Sequence, residues 1–384
     1  MFPIALTKSG CETRRARLWA ALPERCDALV LADPQSLIYY ANYAPSPFVF
    51  RTSDASAFLI LRPGRATLVA DKMLGPYLDQ AHVDEAVAPV WYDARHTAPH
   101  RRAQAVATAR EVLRNGDHNA IGVETASVPF GIFEGLSAGS SRYSLETTIR
   151  PLRRAKDPDE VELLRLSARA GVAGLTAALR DVRPGMSELD VYLLVQNEAS
   201  RAAGSQVMVY GDFASGPRLE TERGGPPTSR VVERGDLFMV DYSVVVHGYR
   251  CDFTNTFAVG TPPTEGQRRL FDVCIEALRA GEQVLKPGVA ARAVDAAVRA
   301  VLDAHGLGHA SPSHTGHGLG LSHPEPPYLV GLSVETIEPG DVVALEPGVY
   351  VPGVGGMRFE RNYLVTADGF ECLTDHELTL DQPG

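Results

Sequence analysis

The sequence predicts an α/β chain in which a small N-terminal α/β domain is followed by a larger α+β domain with an internal pseudo-two-fold. Its 384 residues exceed one comfortable core and suit two domains of roughly 100 to 200 residues each. Strand-like and helix-like runs alternate up to about residue 150, after which long helical stretches and glycine-rich hairpins take over. Beyond that point a series of helix, basic-Pro-Gly turn, helix and hairpins occurs twice, about 100 residues apart.

Composition narrows the partners. Hydrophobic residues make up 45% and charged residues 22%, so the chain can bury a core and is neither disordered nor fibrous. Lys plus Arg total 37 against 47 for Asp plus Glu, a net charge of −10, and that field repels nucleic acid and anionic membrane surfaces alike. The basic cluster Arg150, Arg153, Arg154 and Lys156 is followed at once by Asp157, Asp159 and Glu160 and reads as a solvated linker face. Cys11, Cys26, Cys251, Cys274 and Cys372 are scattered, odd in number and without a CxxC pair, which indicates neither a disulfide framework nor a structural zinc site. No run of about 18 apolar residues exists and the amino terminus lacks the apolar stretch of a secretory signal, so a cytoplasmic location is expected.

The first domain, expected over residues 1–153, opens with apolar runs at Ala28–Ala32 and Leu37–Tyr43. Phe58–Leu61 and Ala66–Ala70 flank Pro63-Gly64 and predict a hairpin. Residues 99–114 predict an amphipathic helix, Ala120–Val123 a strand and Phe130–Leu136 a short helix. The second domain, expected over 154–384, begins with a long helix announced by Asp157 as N-cap, Pro158 at the first helical position and Asp159 and Glu160 in the first turn. Arg183-Pro184-Gly185 and Lys286-Pro287-Gly288 open the second helix of each repeat.

Leu237–Val246 and Tyr249–Val259 are β-forming runs joined by His247-Gly248. Either natural two-residue turn sets Asp241 opposite residue 252 or 254, and the shared parity turns Asp241 and Asp252 to one face. Two such carboxylates in an apolar hairpin repel by roughly 4 kcal/mol at about 4 Å and an effective dielectric near 20, so a cation or a proton belongs between them. Glu346 in VVALEPGVY and Glu360 in GGMRFERNYLV repeat the theme around Pro352–Gly356. A single buried acid more often pairs with arginine or a backbone cap; four in paired hairpins point elsewhere. His317 lies in the loop HTGHGLG, residues 314–320, whose glycines admit close backbone approach. One imidazole and four carboxylates form a site suited to Mn, Co, Fe or Zn and roomy enough for two ions, which can bring the pKa of a bound water from about 15.7 to about 7.

These residues resemble the pita-bread metallopeptidases, the group of methionine aminopeptidase, aminopeptidase P, prolidase and creatinase. The resemblance covers about residues 150–370 and rests on the Asp-x10-Asp hairpin, the GHGLGL loop, LEPGVY and MRFE. SLIYYANY at 36–43 is similar to the smaller, creatinase-like N-terminal domain of the proline-directed members. The resemblance implies two divalent ions, manganese first. Asp241 would hold one, His317 and Glu346 the other, with Asp252 and Glu360 as bridges, and a bridging hydroxide would attack the bond before proline. It also gives Glu346 a proton-shuttling role and places Arg358 beside the site, on the same strand face as Glu360; the alternative for Arg358 is a salt bridge to Asp241 or Asp252.

Three departures concern substrate placement. The histidine expected 17 residues before Asp241 is Gly224, the one expected seven residues after His317 is Pro324 with His323 displaced by one, and the usual Thr-Arg-Thr reads Thr254-Asn255-Thr256. His323 serves the reaction or is a surface residue; His314 supports its loop or touches substrate. Arg218 and Arg223 meet the substrate carboxylate or are solvated, and Tyr350 lines the pocket or packs. The expected activity is hydrolysis of Xaa-Pro dipeptides by a homodimer. The alternatives are aminopeptidase P action on longer peptides and creatinase-like chemistry on small non-peptide substrates.

Overall fold

The computed structural model describes residues 5–22, 26–48, 56–90, 92–97, 100–116, 119–134 and 141–383. The chain divides into two compact units, Ala5–Arg153 and a larger one running from Arg154.

In the smaller unit α1 (Lys8–Ala20) precedes β1 (Ala28–Leu31). Asp33 then caps α2 (Pro34–Ala41) by accepting from the Gln35 N–H, and Asn42, in the left-handed region, ends it. The run at Leu37–Tyr43 is therefore the body and stop of a helix. β2 (Phe58–Arg62) and β3 (Arg65–Val69) form the expected hairpin, with Arg62 opposite Arg65. There follow α3 (Gly75–Leu78), β4 (Glu85–Val87), α4 (Arg101–Arg114), β5 (Ala120–Val123), β6 (Ser141–Ser144) and α5 (Glu146–Leu152). Residue 99 of the helix expected over 99–114 lies outside the described residues. The helix expected at Phe130–Leu136 is a 3-10 turn over Phe130–Phe133, and residues 135 and 136 also lie outside. One sheet, β4-β3-β2-β1-β5-β6, organises the unit. β1 is buried along its whole length, as a strand with covered faces must be.

The larger unit opens with α6 (Pro158–Asp181), fixed by a reciprocal capping box between Asp157 and Glu160. Next come α7 (Glu188–Ala203), β7 (Met208–Ser215), α8 (Pro217–Thr221), β8 (Leu237–Val246) and β9 (Tyr249–Ala258). The second half supplies α9 (Glu265–Val284), α10 (Ala291–Ala304), β10 (Gly316–Gly318), β11 (Glu325–Leu329), β12 (Val342–Leu345), β13 (Gly348–Val351), β14 (Gly355–Arg358), β15 (Arg361–Val365) and β16 (Phe370–Cys372). The strands form the sheets β7-β8-β9 and β11-β10-β12-β15-β16 and the ribbon β13-β14.

The internal duplication is visible bond by bond. Gly185 N donates to Val232 O at 2.9 Å and Val232 N returns to Met186 O at 2.8 Å; Gly288 N donates to Ile337 O at 2.8 Å and Ile337 N returns to Val289 O at 2.8 Å. Both glycines have positive φ, 98° and 84°, which is why each turn carries Pro-Gly.

Two expectations are corrected. Part of the basic cluster is not a solvated face: Lys156 pairs with Glu325 at 2.5 Å with both side chains buried, and Arg154 pairs with Asp341. These acids lie far along the chain, out of reach of a local charge reading. Nor do Glu346 and Glu360 sit inside continuous strands. Leu345 pairs with Arg361 in the five-stranded sheet and Gly348 with Arg358 in the ribbon, so both acids stand at the seam where the chain leaves one sheet for the other. Pro347, which has no N–H to give a ladder, marks the break.

Candidate metal centre

The β8-β9 hairpin turns through His247 (φ 51°) and Gly248 (φ 86°), the two left-handed residues a tight hairpin needs. That register sets Asp241 opposite Thr254 and Ser243 opposite Asp252, so both aspartates face one side. Each is held. Ser243 Oγ donates to Asp252 Oδ1 at 3.1 Å, while Asn362 clamps the Asp252 backbone, accepting from its N–H at 2.8 Å and donating to its carbonyl. From the other half, Glu360 N bonds Thr254 O at 3.0 Å and Glu346 N bonds Thr315 O at 2.9 Å. Thr254 Oγ1 donates to Glu360 Oε2 at 2.7 Å.

His317 lies in β10, a short strand between β11 and β12, and not in a loop. Its neighbours must be glycine: a Cβ on Gly316 would lie 2.0 Å from Ala344 O, and one on Gly318 2.2 Å from Pro326 O. Nδ1 lies 2.9 Å from Gly318 O, which fixes the tautomer that leaves Nε2 unprotonated. Nε2 lies 3.4 Å from Glu346 Oε1 and 3.8 Å from Asp252 Oδ2. Burial pulls the imidazole pKa down to about 4, so at neutral pH it is an acceptor.

Ligand-capable atoms lie within 4.8 Å of one another in three groups: Asp241, Asp252 and Glu360; His314, His317 and Glu346; and Asp252, His317 and His323. Glu346 Oε1 and Glu360 Oε1 are buried without a hydrogen-bond partner, a costly state for a carboxylate that nothing balances. Burial, then the charges of Glu360, Asp252 and Asp212, raise Glu346 well above the carboxylate range; burial, then Asp252, does the same to Glu360. Burial pushes Asp252 up as well, but the hydrogen bond and charge of His323 and the charge of His317 outweigh it and hold Asp252 low. Converging oxygens, one presented imidazole nitrogen and two orphaned buried carboxylate atoms fit hard-to-borderline divalent cations.

Residues 162–367, more than half of the chain, match the profile of metallopeptidase family M24. The chain belongs to that family. A putative dipeptidase of Bacillus subtilis is 30% identical over 266 residues, covering 68% of this chain and 73% of its own. An Xaa-Pro dipeptidase of Pyrococcus furiosus is 28% identical over 278 residues, 70% of this chain and 77% of its own. Among solved structures, an Xaa-Pro dipeptidase from Bacillus anthracis superposes with a TM-score of 0.81 at 25% identity, covering 97% of this chain and 99% of that one. An X-Pro aminopeptidase from Thermotoga maritima gives 0.80 at 19% identity, covering 96% and 99%. The pita-bread architecture with its additional N-terminal domain is borne out, and membership of M24 carries divalent-metal binding with it.

In this M24 metallopeptidase the remaining residues singled out from the sequence divide in two. His323 reaches the site despite its one-residue offset, its Nε2 lying 2.5 Å from Asp252 Oδ2. The β10-β11 ladder shifts register between His317 and Gly318, so residue counting does not measure reach. His314 stacks on His317 and lies 3.3 Å from Glu346 Oε1. Tyr350 buries a hydroxyl without a partner, and burial, then the charge of Glu346, raises its pKa. Arg358 ends β14 instead of sharing a strand with Glu360, yet its guanidinium bonds both Asp241 and Asp212. Arg218 is engaged by Glu188 at the start of α7 and by Glu222 four residues on. Arg223 is exposed.

Asp212 escaped the sequence reading. It stands opposite Asp241 across the β7-β8 ladder, and its signal was a lone acid in the β-forming run Met208–Ser215. Gly224, where a histidine was expected, has φ 146°, and a Cβ there would meet Asp212 Oδ2 at 2.1 Å. Among the described residues no helix is long and apolar enough to cross a membrane.

Proposed function

We propose that this protein is an Xaa-Pro dipeptidase, acting on dipeptides with proline second through two divalent cations, manganese foremost. Asp241, Asp252, His317, Glu346 and Glu360 would hold them: Asp241 one ion, His317 and Glu346 the other, with Asp252 and Glu360 serving both. The observation that carries this reading is the pair of orphaned oxygens on Glu346 and Glu360, buried beside an imidazole already in its acceptor form. Kinship with a putative dipeptidase and with Xaa-Pro dipeptidases supports the substrate class.

When bound, the cations supply a nucleophilic water at neutral pH and polarise the scissile carbonyl. The chain's own residues do the rest. Glu346, at the edge of the cluster beside His314, is the group we assign to passing a proton toward the reacting bond; a proline nitrogen must gain one to leave. His314, half-exposed beside Glu346, meets the substrate from the open side, and His323, on Asp252, is placed to donate to the tetrahedral oxygen. The Tyr350 hydroxyl lines the pocket. Arg223, exposed, is the residue we assign to the free carboxylate that distinguishes a dipeptide; Arg218, already paired, steadies that segment. We place the protein in the cytoplasm as a homodimer.

The test is a product-resolved assay of Leu-Pro against Leu-Pro-Ala with Mn, Co, Zn or Fe restored to chelated protein. Cleavage of Leu-Pro, best with Mn and lost in Asp252→Asn together with retained metal, is the expected result. Preference for the tripeptide assigns an aminopeptidase instead, and normal turnover by Asp252→Asn overturns the site.

A further inference from the structure

Asp212 is set apart from the groups that converge on the metal centre. It belongs to none of the three ligand-capable sets. Its side chain is 35% exposed, against 14% for Asp241 and 10% for Asp252. Among the described residues only one of its oxygens is engaged: Oδ2 lies 3.2 Å from Arg358 Nη2, the same nitrogen that bonds Asp241 more closely.

The surroundings keep this carboxylate open. Gly224, left-handed at φ 146°, puts no side chain against it, and one there would collide with Oδ2 at 2.1 Å. Tyr350, 6% exposed, has a hydroxyl with no partner, and both Tyr350 and Glu346 feel the negative charge of Asp212. A directly opposed residue on the next strand stands about 5 Å away between Cα atoms. Asp212 is thus one strand removed from Asp241 and the more exposed of the two carboxylates.

We propose that Asp212 is a specificity-determining residue that takes the cationic side chain of a lysine or arginine preceding the scissile bond. The assignment rests on the dipeptidase reading above. The free oxygen accepts from the ammonium or guanidinium, while Arg358 keeps the other oxygen fixed and so orients the carboxylate. An uncharged side chain of the same length makes no charge-assisted bond: norleucine leaves the oxygen to water, and citrulline offers only a neutral ureido N–H.

Four dipeptides test this on the manganese-loaded protein: Lys-Pro and Arg-Pro against their uncharged analogues norleucyl-Pro and citrullyl-Pro. Each charged member is expected to exceed its analogue in kcat/KM by about tenfold, the scale of one partly exposed charge-assisted hydrogen bond. Asp212→Asn, which keeps the shape, brings both ratios to about one. Calorimetric binding of Lys-Pro and norleucyl-Pro to chelated protein reads the same order without turnover. Equal values for charged and uncharged members in the wild type, or ratios that persist in Asp212→Asn, overturn the assignment. A loaded wild type that cleaves none of the four, norleucyl-Pro included, is the separate failure of the dipeptidase reading and takes this assignment with it.

Discussion

Glu360→Gln should stabilise the protein when metal is absent and weaken it when metal is present. Ligand-capable oxygens of Asp241, Asp252 and Glu360 lie within 4.8 Å of one another, and at that separation each carboxylate pair repels by about 3 kcal/mol at an effective dielectric near 20. Arg358 bonds Asp241 and offsets the two pairs that contain it, so one unbalanced repulsion remains, Asp252 against Glu360. It is the charge of Asp252 that, after burial, raises the pKa of Glu360. A carboxyl whose folded pKa lies above its unfolded value near 4.5 contributes its full stability below that value and loses it as pH rises through the folded pKa. Chelated Glu360→Gln should therefore melt higher than chelated wild type at pH 7.5, by about 2 to 3 kcal/mol or roughly 5 to 10 °C for a unit of this size, and the gap should close toward pH 4.5. Restoring manganese should reverse the order, because the variant loses a ligand and with it the stabilisation that binding confers. Scanning calorimetry at several pH values, with and without metal, measures all of this. Identical chelated melting curves at pH 7.5, or a gap that widens as the pH falls, would refute the reasoning.

Thr254→Val removes the 2.7 Å donor to Glu360 Oε2; metal affinity by competition titration should fall about tenfold, with Thr254→Ser restoring it. Gly316→Ala forces a methyl to 2.0 Å from Ala344 O, and thermal melts should show a loss of at least about 2 kcal/mol. Lys156→Met leaves Glu325 buried without its cation, with the Ser322 N–H at 3.3 Å as a remaining donor; urea unfolding should register a loss of about 3 to 5 kcal/mol, much of it recovered by adding Glu325→Gln.

The parity of the β8-β9 hairpin made two acids legible, because alternation along a strand survives any natural turn. The second pair was legible in identity but not in place. Composition does not show that Pro347 and Phe359 sit where the chain changes sheets, so Arg358 and Glu360 looked like strand neighbours. Asp212 was unreadable for a different reason: its meaning lies in a cross-strand register with Asp241, and no count along β7 supplies that. Lys156 and Arg154 misled in the same way, their partners Glu325 and Asp341 being brought near only by the tertiary fold. His323 shows the reverse, a residue in the wrong place by number that the ladder shift of β10 against β11 still delivers.

The seam at Glu346 and Glu360 has a mechanical consequence. The chain passes between the larger sheet and the ribbon of β13 and β14 through Glu346-Pro347 and Phe359-Glu360, while the ribbon's tip is tied at Gly353 N to Glu220 Oε2 on α8, at 2.8 Å. The ribbon is braced between those ends: Val349 and Met357 share an apolar cluster with Leu237 and Met239, and Thr256 Oγ1 bonds the Arg358 backbone. A substitution that shifts the ribbon should therefore be felt at Glu346 and Glu360 together, because both stand at one joint.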